Sequence, residues 1–430
     1  MFLKRFVVLF VILVLQFFFA CSMGVDIEGM TEEEFLAYAM KVHENAITID
    51  THVDIPGGQY ATAEMDPGSE EYTRKCSLPK MEKGGLDGVF LAVYVGQRDD
   101  FTPEGYERVY TQAMDKFDAI HRLAEAMYPE RCEIAYTPDD VIRIAATGKR
   151  VILIGIENGY TIGEDLSLVQ KYYDLGTRYI TLCHSGHNQI CDSSGGRGEP
   201  KNNGISDFGK QVVAEMNRLG ILADVSHIGE KSYWDLIEIS KAPIIASHSG
   251  CRALRDNGRN LDDEQLKALA ENGGVIQIVA LGNYLGGPAP ERREAITALA
   301  EEVGMPRGRG GRGGRGGDQQ EVTVTEEMQK QYDEGMKAID EQYPNVEVNL
   351  QTYVDHIDHA VKIAGIDHVG IGTDFDGGGG IPGFNDHSES MNVTIELLKR
   401  GYSEEEINKI WGGNLLRAWR DAQKVAESMK

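Results

Sequence analysis

The chain has 430 residues, enough for two or three average domains or for one large α/β barrel. Its 43 Lys and Arg stand against 68 Asp and Glu, and the net charge of −25 argues against nucleic acid as a partner. Hydrophobic residues make up 41% and charged residues 26% of the chain, the composition of a globular protein with a large core. These figures exclude an intrinsically disordered chain, a collagen-like chain and a polytopic membrane protein.

The N-terminal segment is predicted to direct export. Two basic residues precede an apolar run from Phe6 to Ala20, which is too short for a membrane span of ~20 apolar residues. A small residue directly before Cys21 resembles a bacterial lipoprotein processing site. We therefore predict that residues 1–20 are a signal peptide and that Cys21 is lipidated. Residues 21–430 would then form one anchored domain facing the periplasm or the cell exterior. Ordinary secretory cleavage nearby is the alternative.

The predicted elements begin with a helix from Thr31 to Asn45, because Thr31 can cap it and three acidic residues follow. Eight short runs rich in Val and Ile come next, and amphipathic stretches suited to crossover helices separate several of them. Unbroken apolar runs are typical of parallel strands buried on both faces. The runs are Ile47–Ile55, Val89–Val95, Val151–Glu157, Tyr179–His184, Ile221–His227, Pro243–His248, Gly274–Ala280 and His368–Phe375. This alternation predicts a (β/α)8 barrel of the TIM type in preference to an open doubly wound sheet.

A long excursion between the seventh and eighth runs is expected to distort the barrel. It covers about 285–350 and includes an Arg/Gly-rich stretch at 306–317, which cannot form a packed core and is predicted to be a mobile loop. Helices are predicted at Glu326–Glu341 and, just beyond it, Val354–Ala364. Arg/Gly repeats also occur in RNA-binding tails, but this stretch has no aromatic residue that could stack on a base. We therefore predict no nucleic-acid partner.

Polar side chains interrupt or end the apolar runs at their C-terminal side, where barrel active sites are built. They are His52, Asp54, Glu157, His184, His227, His248 and Asp374. His52 and Asp54 are two residues apart on one strand and point the same way, so they can share a metal ion. Imidazole and carboxylate together suit zinc, and the two oxygens of Glu157 can bridge two cations. A lone histidine at a strand end is more often structural, so the joint pattern is what predicts a two-metal site open to water.

The other histidines are interpreted as structural or solvated. His356 and His359 have the i, i+3 spacing of a helix and could bind a metal. A solvated polar helix face is the preferred interpretation, because no third ligand is evident nearby.

Segments along nearly the whole chain after the leader resemble the membrane dipeptidase (renal dipeptidase) family of zinc peptidases, within the amidohydrolase-like barrels. The matching segments, in family order, are Asp50–Pro56, Gly84–Gly88, Gly155–Gly159, Leu182–His184, Asp224–His227, Ala246–Ser249, Arg259–Asn260 and Gly370–Gly377. The Arg/Gly-rich excursion departs from the family pattern, so the resemblance does not define the rim of the pocket or the side-chain preference.

This resemblance implies two zinc ions per chain and gives each site residue a role. His52 and Asp54 would hold one zinc, His227 and His248 the other, and Glu157 would bridge them. His184 would contact the scissile carbonyl oxygen, Arg259 would bind the substrate carboxylate, and Asp374 would bind the amine or shuttle a proton. A hydroxide shared by the two zinc ions would then hydrolyse a dipeptide whose two free ends are both recognised. The resemblance also implies tolerance of a D-residue at the C-terminal position.

Two other functions fit the same residues. One is a different metal-dependent hydrolase, acting on other amides or on lactams with the same barrel site. The other is an anchored binding protein that captures metal or peptide without turnover, although capture has no need for His184 and Asp374 besides five ligands. The sequence also allows a homodimer.

Overall fold

The computed structural model describes residues 27, 29–98, 100–196, 198–287, 290–304, 325–343 and 347–430. The predicted signal peptide, Cys21 and the Arg/Gly-rich stretch lie outside the described residues. Nine strands are present in this part of the chain. They are β1 (Ile49–Asp54), β2 (Gly88–Tyr94), β3 (Cys132–Ile134), β4 (Arg150–Glu157), β5 (Thr177–Thr181), β6 (Leu222–Asp224), β7 (Ile244–Ser249), β8 (Val275–Ile278) and β9 (Val369–Ile371).

Eight of these strands form a nearly closed parallel barrel, which confirms the predicted fold class. Neighbours follow the order β1-β2-β4-β5-β6-β7-β8-β9, and every pairing is parallel. The ring closes just beyond β9, where Val53 pairs with Phe375. The backbone N–H of Asp374 donates to the carbonyl of His52 at 3.0 Å, and that of Asp54 donates to the carbonyl of Phe375 at 2.9 Å. The first and last strands therefore meet at the residues predicted to form the site.

Helices connect the strands and surround the barrel. They are α1 (Glu32–Asn45), α2 (Leu78–Gly84), α3 (Pro103–His121), α4 (Pro138–Ala145), α5 (Ser167–Asp174), α6 (Asp207–Leu219), α7 (Glu230–Ile239), α8 (Asp263–Glu271), α9 (Gly282–Leu285), α10 (Pro290–Val303), α11 (Glu326–Gln342), α12 (Leu350–Ala364), α13 (Ser390–Lys399), α14 (Glu404–Asn408) and α15 (Asn414–Ser428). The helix predicted after Thr31 is confirmed, and Thr31 and Glu34 cap its start reciprocally.

Two details of the strand prediction were wrong. The short strand β3, which pairs with the N-terminal residues of β4, was not predicted. Three residues are too few to show a hydrophobic pattern. Three strands also stop three or four residues earlier than predicted, at Thr181, Asp224 and Ile371. Beyond two of them the backbone turns left-handed, with φ of 74° at His227 and 59° at Asp374, and a strand cannot continue through that conformation.

The core lies in two layers, one on each face of the strands. In β2, Val89 and Leu91 belong to the larger cluster between strands and helices, while Phe90 belongs to a smaller cluster with Tyr179 and Trp419. This alternation follows from successive side chains pointing to opposite faces of a strand. Because the Tyr179 ring also contacts His52, the smaller cluster supports the site from beneath.

The excursion after β8 contains helices α9, α10 and α11 among its described residues. Helices α10 and α11 pack against each other, with Arg292 of α10 paired to Asp340 of α11. Within the described ranges, none of the helices has both the length and the apolar character that crossing a bilayer requires.

Candidate active site

Glu157, the last residue of β4, lies at the centre of the predicted site residues and is buried. Its Oε2 lies 3.6 Å from Nε2 of His52. Its Oε1 faces three other imidazole Nε2 atoms, at 3.1 Å for His227 and 3.6 Å for His184 and for His248. The two oxygens of one carboxylate therefore face two different sets of imidazoles.

The other predicted residues complete overlapping clusters around this carboxylate. Three groups bring their ligand atoms within 4.8 Å of one another, and they share Glu157 or His52. The groups are His52 with Glu157 and His248, Glu157 with His184 and His227, and His52 with Asp54 and Asp374. The rings of His52 and His248 stack with centroids 3.8 Å apart. All seven residues predicted at strand ends are thus gathered at one mouth of the barrel.

The backbone just beyond β9 shapes the carboxylate side of the site. The left-handed conformation of Asp374 lets its carbonyl accept the N–H groups of Gly377, Gly378 and Gly379 at 2.7 to 3.2 Å. The loop then folds back over the two carboxylates of Asp54 and Asp374. A Cβ at Gly377 would lie 2.1 Å from Asp54 Oδ2 and from Asp374 Oδ1, so only glycine fits there.

The charges of the cluster shift the pKa values of its members in opposite directions. Burial would lower the pKa of His52, but the charges of Glu157, Asp374 and Asp54 outweigh it and raise that pKa to about 9. Burial holds the pKa values of His227 and His248 well below their ordinary range. Burial, reinforced by Asp54 and Glu157, raises the pKa of Asp374 well above its ordinary value. Several carboxylates are crowded together here, and a bound cation would favour their charged forms.

The residues fit a metal centre on chemical grounds. Nε2 of His52 is buried and has no hydrogen-bond partner among the described atoms, although it points at a carboxylate oxygen. Burial keeps the imidazoles of His227 and His248 in the neutral form that binds metals. Imidazole nitrogens with carboxylate oxygens are a donor set suited to zinc.

Two further predicted residues lie at the edge of the cluster. The side chain of His184 is 24% exposed, and its ring lies 4.1 Å from that of His227 and 4.8 Å from that of Tyr94. Arg259 donates to the backbone carbonyl of His248 at 3.2 Å and stacks on Tyr284, with its guanidinium carbon 5.3 Å from the ring centre. Its Nε is buried with no partner among the described atoms, so part of its hydrogen-bonding capacity is unused. Both side chains can therefore meet a substrate at the mouth of the site.

Sequence reasoning missed the polar residues beneath the ligands. Asp50 and Asp224 belong to recognised segments but were given no role, and both are fully buried with several donors around their carboxylates. The signal for them was a carboxylate inside an apolar strand run, which is rarely buried without a purpose. Lys116 of α3 was also missed. It is buried over the Tyr94 ring, and burial lowers its pKa despite the nearby charges of Asp54 and Glu157.

The interpretation of His356 as part of a solvated helix face was wrong. Its ring is fully buried, accepts the backbone N–H of Cys251 at 3.0 Å and lies 2.9 Å from the carbonyl of Leu285. His359 is partly buried and pairs with Asp263 at 2.7 Å. Helical spacing alone did not reveal that α12 packs these residues against neighbouring elements.

The chain is similar to proteins of one known family. Residues 36–430 match the family model of the membrane dipeptidases, peptidase family M19. The chain is similar to the crystal structure of the probable dipeptidase PvdM from Pseudomonas aeruginosa, with 33% identity and a TM-score of 0.77 over 92% of this chain and 100% of that one. It is 31% identical over 357 residues to dipeptidase tcpJ of Claviceps purpurea (strain 20.1), covering 82% of this chain and 70% of that protein.

A more distant structure shares the fold. It is a metallopeptidase from Rhodobacter sphaeroides liganded with a phosphinate mimic of the dipeptide L-Ala-D-Ala, 21% identical with a TM-score of 0.65 over 88% of this chain and 100% of that one. The family predicted from the sequence is confirmed by the match over residues 36–430. The chain therefore belongs to the membrane dipeptidase family, peptidase family M19, and is an enzyme of that metallopeptidase family.

Proposed function

We propose that the protein hydrolyses dipeptides with two zinc ions bound at the barrel mouth. His52 and Asp54 would hold one ion, His227 and His248 would hold the other, and Glu157 would bridge them. The observation that carries this proposal is the orientation of Glu157, whose Oε2 faces His52 while its Oε1 faces His227 and His248. A carboxylate that served one ion, or a simple salt bridge, would not need to divide its oxygens in this way.

The residues of the chain supply what the reaction needs around the reacting bond. When bound, zinc would supply a Lewis acid and would lower the pKa of water toward ~7. His184 can donate a hydrogen bond to the carbonyl oxygen as negative charge develops on it. Asp374, whose pKa is raised by burial and by neighbouring carboxylates, is suited to carry a proton to the leaving amine.

Both ends of a short substrate have a partner in this arrangement. Arg259 can grip a carboxylate with two parallel hydrogen bonds, and Asp374 can pair with a free amine. With both ends held, one peptide bond fits between them, and a third residue would leave a buried charge unpaired. Contacts to the backbone ends leave the C-terminal side chain less constrained, so we include tolerance of a D-residue there. The ligand of the Rhodobacter sphaeroides structure mimics such a dipeptide and guides the choice of substrate.

The test joins metal analysis with a substrate panel. We expect two zinc ions per purified chain and efficient cleavage of L-Ala-L-Ala and L-Ala-D-Ala. We expect weak cleavage of their N-acetylated and C-amidated forms and little action on tri-alanine. Equal rates across the panel would remove the roles of Arg259 and Asp374. Hydrolysis of a lactam or another amide in place of the dipeptides would assign the site to a different substrate class.

The anchor forms a separate part of the proposal. The basic and apolar leader ending in Ala20 and Cys21 supports lipidation of Cys21 and an exported, membrane-bound location. In a bacterial host, Cys21→Ser should move the protein from the membrane fraction to the soluble fraction, and radiolabelled palmitate should label only the parent chain. A mature N-terminus at another residue would instead show ordinary secretory cleavage. Light scattering on the released variant will test the homodimer that the sequence allows.

A further inference from the structure

A chain of hydrogen bonds runs from Asp224 to His248 beneath the site. The hydroxyl of Ser247 donates to Oδ2 of Asp224 at 2.6 Å. The hydroxyl oxygen of Ser247 also lies 2.9 Å from Nδ1 of His248. All three residues are buried, so water does not compete for these bonds. The opposite ring nitrogen, Nε2 of His248, points to Glu157 and His227.

The surroundings of Asp224 determine the direction of every bond in this chain. Its Oδ1 accepts the backbone N–H of Ser226 at 3.0 Å and of Ser247 at 2.8 Å. Its Oδ2 accepts the hydroxyls of Thr181 and Ser247. Four donors surround this carboxylate, so it acts only as an acceptor. The single proton of the Ser247 hydroxyl therefore goes to Asp224, since its other neighbour, Ser226 Oγ, is 3.4 Å away.

The position of that proton fixes the state of the imidazole. Ser247 Oγ can only accept from His248, so Nδ1 of His248 must carry a proton. The proton of a neutral imidazole is then absent from Nε2, which keeps its lone pair free. We propose that Asp224 and Ser247 form a positioning relay that holds His248 in the one tautomer and orientation able to bind zinc through Nε2. This inference rests on the proposed function, because it assigns a cause to one of the proposed ligands.

Asp224→Asn tests the relay with little change of shape. The two backbone N–H donors hold the amide oxygen of Asn in the place of Oδ1, which puts the amide NH2 in the place of Oδ2. That NH2 donates to the Ser247 hydroxyl, whose proton is then released toward Nδ1 of His248. The imidazole is driven to the tautomer with a proton on Nε2, which cannot bind zinc.

The measurement is zinc affinity, obtained by titrating zinc into metal-free protein against a chromophoric chelator. Circular dichroism and thermal unfolding of the metal-free proteins monitor the fold. We expect Asp224→Asn to weaken one of the two zinc-binding steps about 10- to 100-fold, the range found for partners behind metal ligands. Ser247→Ala should weaken the same step. The matched control is Ser249→Ala, another buried serine of β7, whose hydroxyl faces Ser226 Oγ at 3.4 Å. It should bind zinc as the parent chain does.

The double variant separates a relay from independent structural effects. If Asp224 acts through Ser247, removing the hydroxyl from the Asp224→Asn protein removes the misdirected proton donor. Zinc affinity should then be equal to that of Asp224→Asn or higher. Losses that multiply in the double variant would overturn the relay, as would parent-like affinity in a folded Ser247→Ala or Asp224→Asn protein. If Asp224→Asn does not fold, Ser247→Ala decides alone. Failure of the parent chain itself to bind two zinc ions would instead refute the proposed function.

Discussion

Gly377 offers a sharp test of how tightly the carboxylate side of the site is packed. It lies three residues after Asp374, in the loop that folds back over the barrel mouth. A Cβ at this position would lie 2.1 Å from Oδ1 of Asp374 and from Oδ2 of Asp54. The Gly377→Ala substitution adds one methyl group and leaves every ligand in the chain.

The size of the effect follows from these distances. Real Cβ atoms essentially never approach another atom closer than 3.0 Å, so each carboxylate oxygen would have to move by about 1 Å, or the loop would have to lift. A displacement of about 1 Å in an active site can cost about 10²-fold in rate, which corresponds to ~2.7 kcal/mol of transition-state stabilisation. Overpacking costs about 1–3 kcal/mol of folding stability.

The assay compares kcat/KM for a free dipeptide, the zinc content and the free energy of unfolding. We expect a loss of about 10²-fold in kcat/KM in a protein that still folds. The control is Gly378→Ala, where the nearest atom to an added Cβ is the flexible end of Leu281 at 3.3 Å and Asp374 Oδ2 is 3.6 Å away. That variant should retain most of its activity. Full activity and zinc content in Gly377→Ala would show that the loop moves freely and would refute the packing argument.

Three other predictions follow from the proposed site. Glu157→Gln keeps the size of the side chain but removes its charge, so zinc content and hydrolysis should collapse together; a Gln variant with two zinc ions and full rate would remove the bridging role. Dialysis against a chelator should lower the thermal unfolding temperature, and added zinc should restore it. The reason is that free zinc at 1,000 times its Kd stabilises a folded state by about 4 kcal/mol. An unchanged unfolding temperature would mean that the native fold binds no zinc. Arg259→Lys keeps the charge but loses the paired hydrogen bonds. KM for a free dipeptide should therefore rise about tenfold, or ~1.4 kcal/mol, while KM for the C-amidated dipeptide changes little. Equal changes for both substrates would show that Arg259 does not bind the carboxylate.

The barrel was predictable because its strands are buried on both faces and therefore appear as unbroken apolar runs. Seven polar residues at the ends of these runs also predicted where the site lies, since parallel strands place their C-terminal ends at one mouth. The exact ends of three strands were not predictable. The left-handed turns at His227 and Asp374 depend on the surrounding hydrogen bonds and on glycines such as Gly377, and no local sequence rule gives them.

The geometry within the site was also beyond the sequence. The division of the Glu157 oxygens between His52 and the other imidazoles depends on the tilt and register of five different strands. Tertiary contacts also explain why the prediction for His356 was wrong. It was assigned to a solvated helix face, but its helix packs against Cys251 and Leu285. Patterns along the chain gave the residues and their common edge, whereas tertiary contacts determined their partners.

The two buried aspartates missed by the sequence reasoning use the same bonding arrangement at two places in the barrel. One oxygen of Asp50 accepts the N–H of His52, two residues on, and of Thr373 beyond β9, while the other accepts Thr373 Oγ1 and lies 2.8 Å from His387 Nε2. Asp224 likewise accepts the N–H of Ser226, two residues on, and the N–H of Ser247 in the neighbouring strand β7. Each carboxylate thus holds two adjacent strands together at the level where proposed ligands emerge. The charge-assisted hydrogen bonds of these carboxylates fix the proposed ligands relative to one another. A metal site needs its ligands preorganised in this way.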